Sequence, residues 1–230
     1  MKRLGNPFAK IIAACAVMAV CALIAAPQGM AATSKKTAPK TSVAPKIFGT
    51  KEVRTRGVQK FKKWTGVLQR YQGDRKKEAR PCKPSLLNPC DIAKWLAFTR
   101  DVAKKPKRQQ LDAVNAYMNK RRYIVDPKNY GKRDYWATPK QFFNKNGDCE
   151  DYAISKYISL LHAGYDPDAM RVVIVQDLNL KVAHGILVVY LDGEALVLDN
   201  QIPKVINAKR IRHYKPVYSI NKKHWWRHRG

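Results

Sequence analysis

Acidic residues are scarce in this chain of 230, where 17 Asp and Glu stand against 45 Lys and Arg, for a formal charge of +28. Such an imbalance disfavours cationic partners and favours anionic ones, such as lipopolysaccharide, an anionic membrane face or an acidic protein. The marks of a nucleic-acid reader are missing: there is no zinc-ligand spacing, no helix-turn-helix spacing and no aromatic-basic motif, so nucleic acid is not an expected partner. There is no internal repeat. After residue 31 no run of 18 or more apolar residues remains, so nothing beyond that point has the length of a membrane-spanning helix.

What precedes that point reads as a leader. Met1-Lys2-Arg3, a largely apolar stretch from Ile11 to Pro27 and then Gly29-Met30-Ala31 have the order of a secretory signal peptide over residues 1–31. The expected product is periplasmic or secreted and starts at Ala32. Loss of the leader takes three cations and no acid from +28 and leaves +25. Residues 32–46 mix Pro, Ser, Thr and Lys without an apolar period and read as a disordered basic linker. Residues 47–226 suit a single domain.

Cysteine is also sparse. With Cys15 and Cys21 in the leader, the exported part keeps Cys82, Cys90 and Cys149. In an oxidising compartment Cys82 and Cys90 can close a short disulfide loop. That leaves Cys149 as an odd thiol, with polar, acidic neighbours unlike those of an inert core cysteine.

The N-terminal half has helical spacing. Val58, Phe61, Trp64, Leu68 and Tyr71 fall on one face; Asn88-Pro89 reads as a helix start before Ile92 and Trp95; Leu111, Val114, Tyr117 and Met118 repeat the period. After Cys149, the residues Ala153, Ile154, Tyr157, Ile158 and Leu161 form another stripe, stopped at Gly164. The period then changes. Arg171 to Val175, Ile186 to Tyr190 and Ala195 to Leu198 read as strands, the last two joined by an Asp192-Gly193 turn. The expected fold is α+β, with N-terminal helices packed on an antiparallel sheet.

Three residues of this frame have the make-up of a cysteine nucleophile site. Cys149 opens a helix, and a helix N-terminus lowers a thiol pKa. If Asp192-Gly193 is a two-residue turn, facing residues have numbers that sum to 385. Ile186 then faces Asp199 and His184 faces Gln201, which makes His184 and Asp199 diagonal neighbours on one face, roughly 7 to 8 Å apart at Cβ. The helix end alone is insufficient, because about 0.5 to 2 kcal/mol brings a thiol from about 8.5 only to about 7 to 8. Asp148, Glu150 and Asp151 oppose it. A thiolate therefore needs an imidazolium partner, and a cation over the three carboxylates would remove much of the opposing field. Oxygen-ligand chemistry suggests Ca2+ there. The remaining histidines, His162, His213, His224 and His228, are expected to be structural or solvated.

The motifs Asp134-Tyr135-Trp136-Ala137-Thr138-Pro139, Gly147-Asp148-Cys149-Glu150-Asp151-Tyr152, Ala183-His184, Val197-Leu198-Asp199-Asn200 and Pro216-Val217-Tyr218-Ser219 resemble, in order, those of the bacterial transglutaminase-like cysteine proteinases. The resemblance implies a papain-like or transglutaminase-like core, with Cys149 as nucleophile, His184 as base and then acid, and Asp199 orienting His184. It also implies that Trp136 lines the cleft and that calcium sits on Asp148, Glu150 and Asp151. Members of the family that release adhesins imply a surface adhesin as substrate and an inner-membrane cyclic-dinucleotide receptor as partner. The same triad would also serve an acyl transferase or a cell-wall peptide amidase. A non-catalytic basic scaffold in contact with an anionic surface is the third reading.

Overall fold

The computed structural model describes residues 45–78, 81–86 and 88–230, so the leader and most of the linker lie outside the described residues. Among the described residues six α-helices and one seven-stranded antiparallel sheet form an α+β fold. Strand β1 (Lys51–Arg56) comes first, followed by α1 (Lys62–Glu78), α2 (Asp91–Ala103), α3 (Lys107–Asn119), α4 (Asp126–Tyr130), α5 (Pro139–Lys145) and α6 (Cys149–His162). Then come β2 (Met170–Asp177), β3 (Val182–Leu191), β4 (Glu194–Leu198), β5 (Ile206–Asn207), β6 (Tyr214–Ile220) and β7 (His224–Arg229). The sheet order is β1-β7-β6-β2-β3-β4-β5.

Helix α6 is the axis of the helical layer. Every residue from Asp151 to Leu160 is buried, because α6 packs on the sheet and is covered by the other helices. The sheet is apolar on both faces. Leu187, Val189, Leu196 and Leu198 join the helical core with Trp64, Trp95 and Tyr157, while Ile186, Val188, Val173 and Val197 join a second cluster with Ile47, Ile211 and Tyr214. Burial on both sides explains why β3 reads as a continuous apolar run instead of an alternating one.

The β3–β4 hairpin has the expected register: Leu187 faces Leu198, and Leu191 faces Glu194. Asp192 (φ 50°) and Gly193 (φ 78°) both take the left-handed conformation that such a two-residue turn requires.

Three expectations move. Helix α1 begins at Lys62, so Val58 and Phe61 pack on its core from the preceding loop. Helix α2 begins at Asp91 instead of Asn88-Pro89, because Cys90 is left-handed (φ 57°) and tied by a disulfide to Cys82, with Cα atoms 5.9 Å apart. The domain boundary expected at 226 falls inside β7, which runs to Arg229 and pairs with β1 along its length.

The disulfide closes a loop with a sequence separation of 8. The double substitution Cys82→Ser and Cys90→Ser is expected to lower unfolding stability by about 2 to 3 kcal/mol. Urea denaturation measures this, and an unchanged midpoint would contradict it.

Candidate active site

The helix carrying Cys149 starts where two backbones nearly touch. A Cβ added to Gly185 on β3 would lie 3.1 Å from both Cα and N of Glu150, so any side chain there would make the first turn of α6 give by a few tenths of an ångström. Gly147 is held similarly, since a Cβ there would lie 2.2 Å from Asp151 Oδ2. Asp148 caps the helix and Asp151 reaches back to it in a capping box.

Cys149 and His184 line one cavity of about 120 Å3, together with Trp136, Ala183, Gly185 and Tyr218. Cys149 is the free thiol among the described cysteines. His184 Nε2 lies 2.9 Å from Asp199 Oδ1, and both residues are buried. A carboxylate only accepts, so Nε2 carries the hydrogen and Nδ1 keeps its lone pair in the neutral ring. Asp199 is held from three sides: Oδ1 also accepts from Gln201 N at 2.9 Å, and Tyr214 Oη donates to Oδ2 at 2.7 Å. Burial pushes the Asp199 carboxyl up, but the hydrogen bond from His184 and the charge its ring carries when protonated, with the Gln201 and Tyr214 donors, outweigh it and hold the group below the usual carboxylate range. Gln201, opposite His184 in the expected register, brings Nε2 to 3.4 Å from His184 Nδ1.

The sulfur is in a different field. Burial first, and the adjacent Glu150 carboxylate second, push the Cys149 thiol far up, while the Gly185 N–H pulls it down. The thiol donates to Glu150 Oε2 at 3.1 Å.

Oxygens of Asp126, Asp148 and Glu150 lie within 4.8 Å of one another. Asp126 Oδ1 and Asp148 Oδ1 are buried without a hydrogen-bond partner, so this group is short of positive charge and of donors. Burial raises all three carboxyls, and the neighbouring Glu150, Asp151 and Asp126 carry Asp148 further, to about 9. An all-oxygen set of this kind fits a hard divalent cation. The acidic cluster that the fold assembles differs by one residue from the set expected for calcium. Asp151 turns inward, accepting from Ala137 N at 2.6 Å and Asp148 N at 3.4 Å, and Asp126 of α4 takes its place.

Asp126 and Tyr214 are site residues that sequence reasoning missed, and neither stands in a motif with a chemical cue. Lys156 is a third. It lies on α6 seven residues after Cys149, its Nζ is buried without a hydrogen-bond partner, and burial lowers it to about 7 against the pull of Asp199.

Residues 85–228 match the family model of the bacterial transglutaminase-like cysteine proteinases. Among solved structures the chain is similar to calcium-bound LapG of Legionella pneumophila, with 30% identity and a TM-score of 0.57 over 71% of this chain and 86% of that one. It is likewise similar to the EGTA-treated form of that protein, with 33% identity and a TM-score of 0.56 over 72% of this chain and 83% of the other. No curated protein matches.

A carboxyl raised in the fold binds protons that the unfolded chain has released. The stability linked to Asp148 is therefore complete below about pH 4 and lost as pH rises toward about 9. In EGTA the melting temperature should fall between about pH 5.5 and about pH 8, and calcium should raise it more at the higher pH, where protons compete less for the same oxygens. Scanning calorimetry tests this; a calcium effect equal at both values, or larger in acid, would contradict it.

Proposed function

The chain belongs to the bacterial transglutaminase-like cysteine proteinases, and from that premise we propose that Cys149, His184 and Asp199 form its catalytic triad, in an exported endopeptidase that cuts a protein substrate. The observation that carries this is the 2.9 Å contact of His184 Nε2 with Asp199, which makes Nδ1 the ring's acceptor beside the cavity shared with Cys149; to take the thiol proton, Nδ1 exchanges the 3.4 Å contact with Gln201 Nε2 for the thiol, and the thiol leaves Glu150. In the proposed reaction Nδ1 takes that proton and the sulfur attacks a backbone carbonyl carbon. The Cys149 N–H, in a first turn whose amides have no intrahelical partner, donates to the oxyanion. As the C–N bond breaks, the imidazolium gives its proton to the leaving amine, and a thioester remains. Water then gives a proton to His184 while its oxygen attacks the thioester, releasing the acid and the thiol.

Calcium belongs to the same proposal. Asp126, Asp148 and Glu150 would hold it, and its charge would offset the carboxylate field at the sulfur. Support comes from the two unpartnered buried oxygens of this set and from the calcium-bound form of the Legionella protein. A periplasmic or secreted location fits the leader-like residues 1–31 and the Cys82–Cys90 disulfide, which suits an oxidising compartment. A surface adhesin as substrate, and an inner-membrane cyclic-dinucleotide receptor as regulator, rest on the motif resemblance.

Synthetic peptides with Ala-Ala centres, the small-residue site that the resemblance to adhesin-releasing members implies, separate the alternatives when incubated in 18O water with an added amine. Hydrolysis places one 18O in each new carboxyl terminus; the signal should vanish in Cys149→Ala and fall by roughly 100-fold or more in His184→Ala. Amine-capped termini as the main product would indicate acyl transfer. If the wild-type protein forms no new termini in calcium, the proposal fails.

A further inference from the structure

The cavity at Cys149 does not end there. Lys63, Trp136 and Tyr218 line it and also line a second cavity of about 310 Å3, whose other walls are Lys60, Phe61, Lys62 and Trp64. Beneath both runs the sheet. Gly185, Ile174, Tyr218, Arg227 and Val53 are successive cross-strand partners, so they form one row on one face, from the backbone of Glu150 out to the edge strand β1.

The walls of this extension are aromatic and its rim is cationic. The Phe61 ring lies 5.1 Å from Tyr218 and 5.3 Å from Trp225, and the Lys60 ammonium sits 3.5 Å over the Trp225 ring. Trp225 is two residues from Arg227 and shares its face. Lys60, Lys62, Lys63 and Arg227 are exposed. The acids lining the two cavities are Asp134, paired with Lys63, and Glu150, bonded to the thiol. Aromatic walls accept an apolar side chain, and the surrounding ammonium and guanidinium groups favour a carboxylate. Lys60, held on a ring face, gives up less side-chain freedom on pairing than a lysine loose in solvent.

We propose that this extension is a substrate subsite, built to take a peptide segment that carries a carboxylate next to an apolar side chain, on one side of the bond to be cut. The inference rests on the proteinase reading of Cys149 and adds the specificity of that site.

The test uses epoxysuccinyl tripeptides that alkylate Cys149, of sequence Ala-Glu-Leu, Ala-Gln-Leu and Ala-Lys-Leu, each extended from either side of the epoxide. Labelling rates are divided by the rate of the same protein with iodoacetamide, which needs no subsite. In calcium at low salt the Glu probe should outrun the Lys probe about tenfold in one of the two directions. Lys60→Glu and, separately, Lys62→Glu should narrow or reverse that order. Equal normalised rates for the three probes, or an order that both charge reversals leave intact, overturns the subsite. Failure of the proteinase reading looks different: iodoacetamide then labels wild type and His184→Ala at the same rate, whatever the order of the peptides.

Discussion

The site depends on one close approach, that of the first turn of α6 to β3 at Gly185. A single methyl group on that residue would meet the Glu150 backbone at 3.1 Å. The contact brings the start of α6 against β3, where Cys149 shares one cavity with His184. The rest of the fold holds this approach in place. Helix α6 is buried along most of its length, and Gly147 and the Asp148–Asp151 capping box fix its start. The hairpin register then sets His184 and Asp199 on adjoining strand ends.

That packing forces an electrostatic problem. In a protein of charge +28, four carboxyl groups are drawn together at the start of one helix, with only partial hydrogen bonding. A helix N-terminus tolerates acids there, but its dipole contributes only about 0.5 to 2 kcal/mol, too little for several buried charges. Asp151 is satisfied by backbone N–H groups, whereas Asp126, Asp148 and Glu150 are left to share protons or a cation. Burial first and this field second raise the thiol, so part of what the proposed nucleophile must overcome is the charge that the proposed calcium would offset. Asp199 has the opposite environment: three donors keep it ionised despite burial.

Much of this was legible in the sequence because it is local. The Asp192-Gly193 turn sets the β3–β4 register within a few residues, and the stripe from Ala153 to Leu161 marks α6. Where the chain closes over long range, pattern gave less. Asp126 reaches Asp148 across 22 residues from a five-residue helix. Spacing alone does not distinguish a carboxylate that turns back to its helix cap, as Asp151 does, from one that turns outward. Strands β1 and β7 were missed because Lys51-Glu52-Val53-Arg54-Thr55-Arg56 is almost wholly exposed and lacks an apolar period, while His224 to Arg229 reads as a basic tail. Strand β6 was missed as well, and nothing in Tyr214-Lys215-Pro216-Val217 gives a sign of the carboxylate that Tyr214 meets.

The central claim is that His184, oriented by Asp199, activates Cys149. The most direct measurement is the rate of Cys149 alkylation by iodoacetamide in calcium at about pH 6.5, where an ordinary thiol of pKa about 8.5 is about one per cent ionised. The account predicts rapid labelling of the wild-type protein, with a large loss in His184→Ala and an intermediate rate in Asp199→Asn. Slow labelling at one common rate in all three proteins would contradict it.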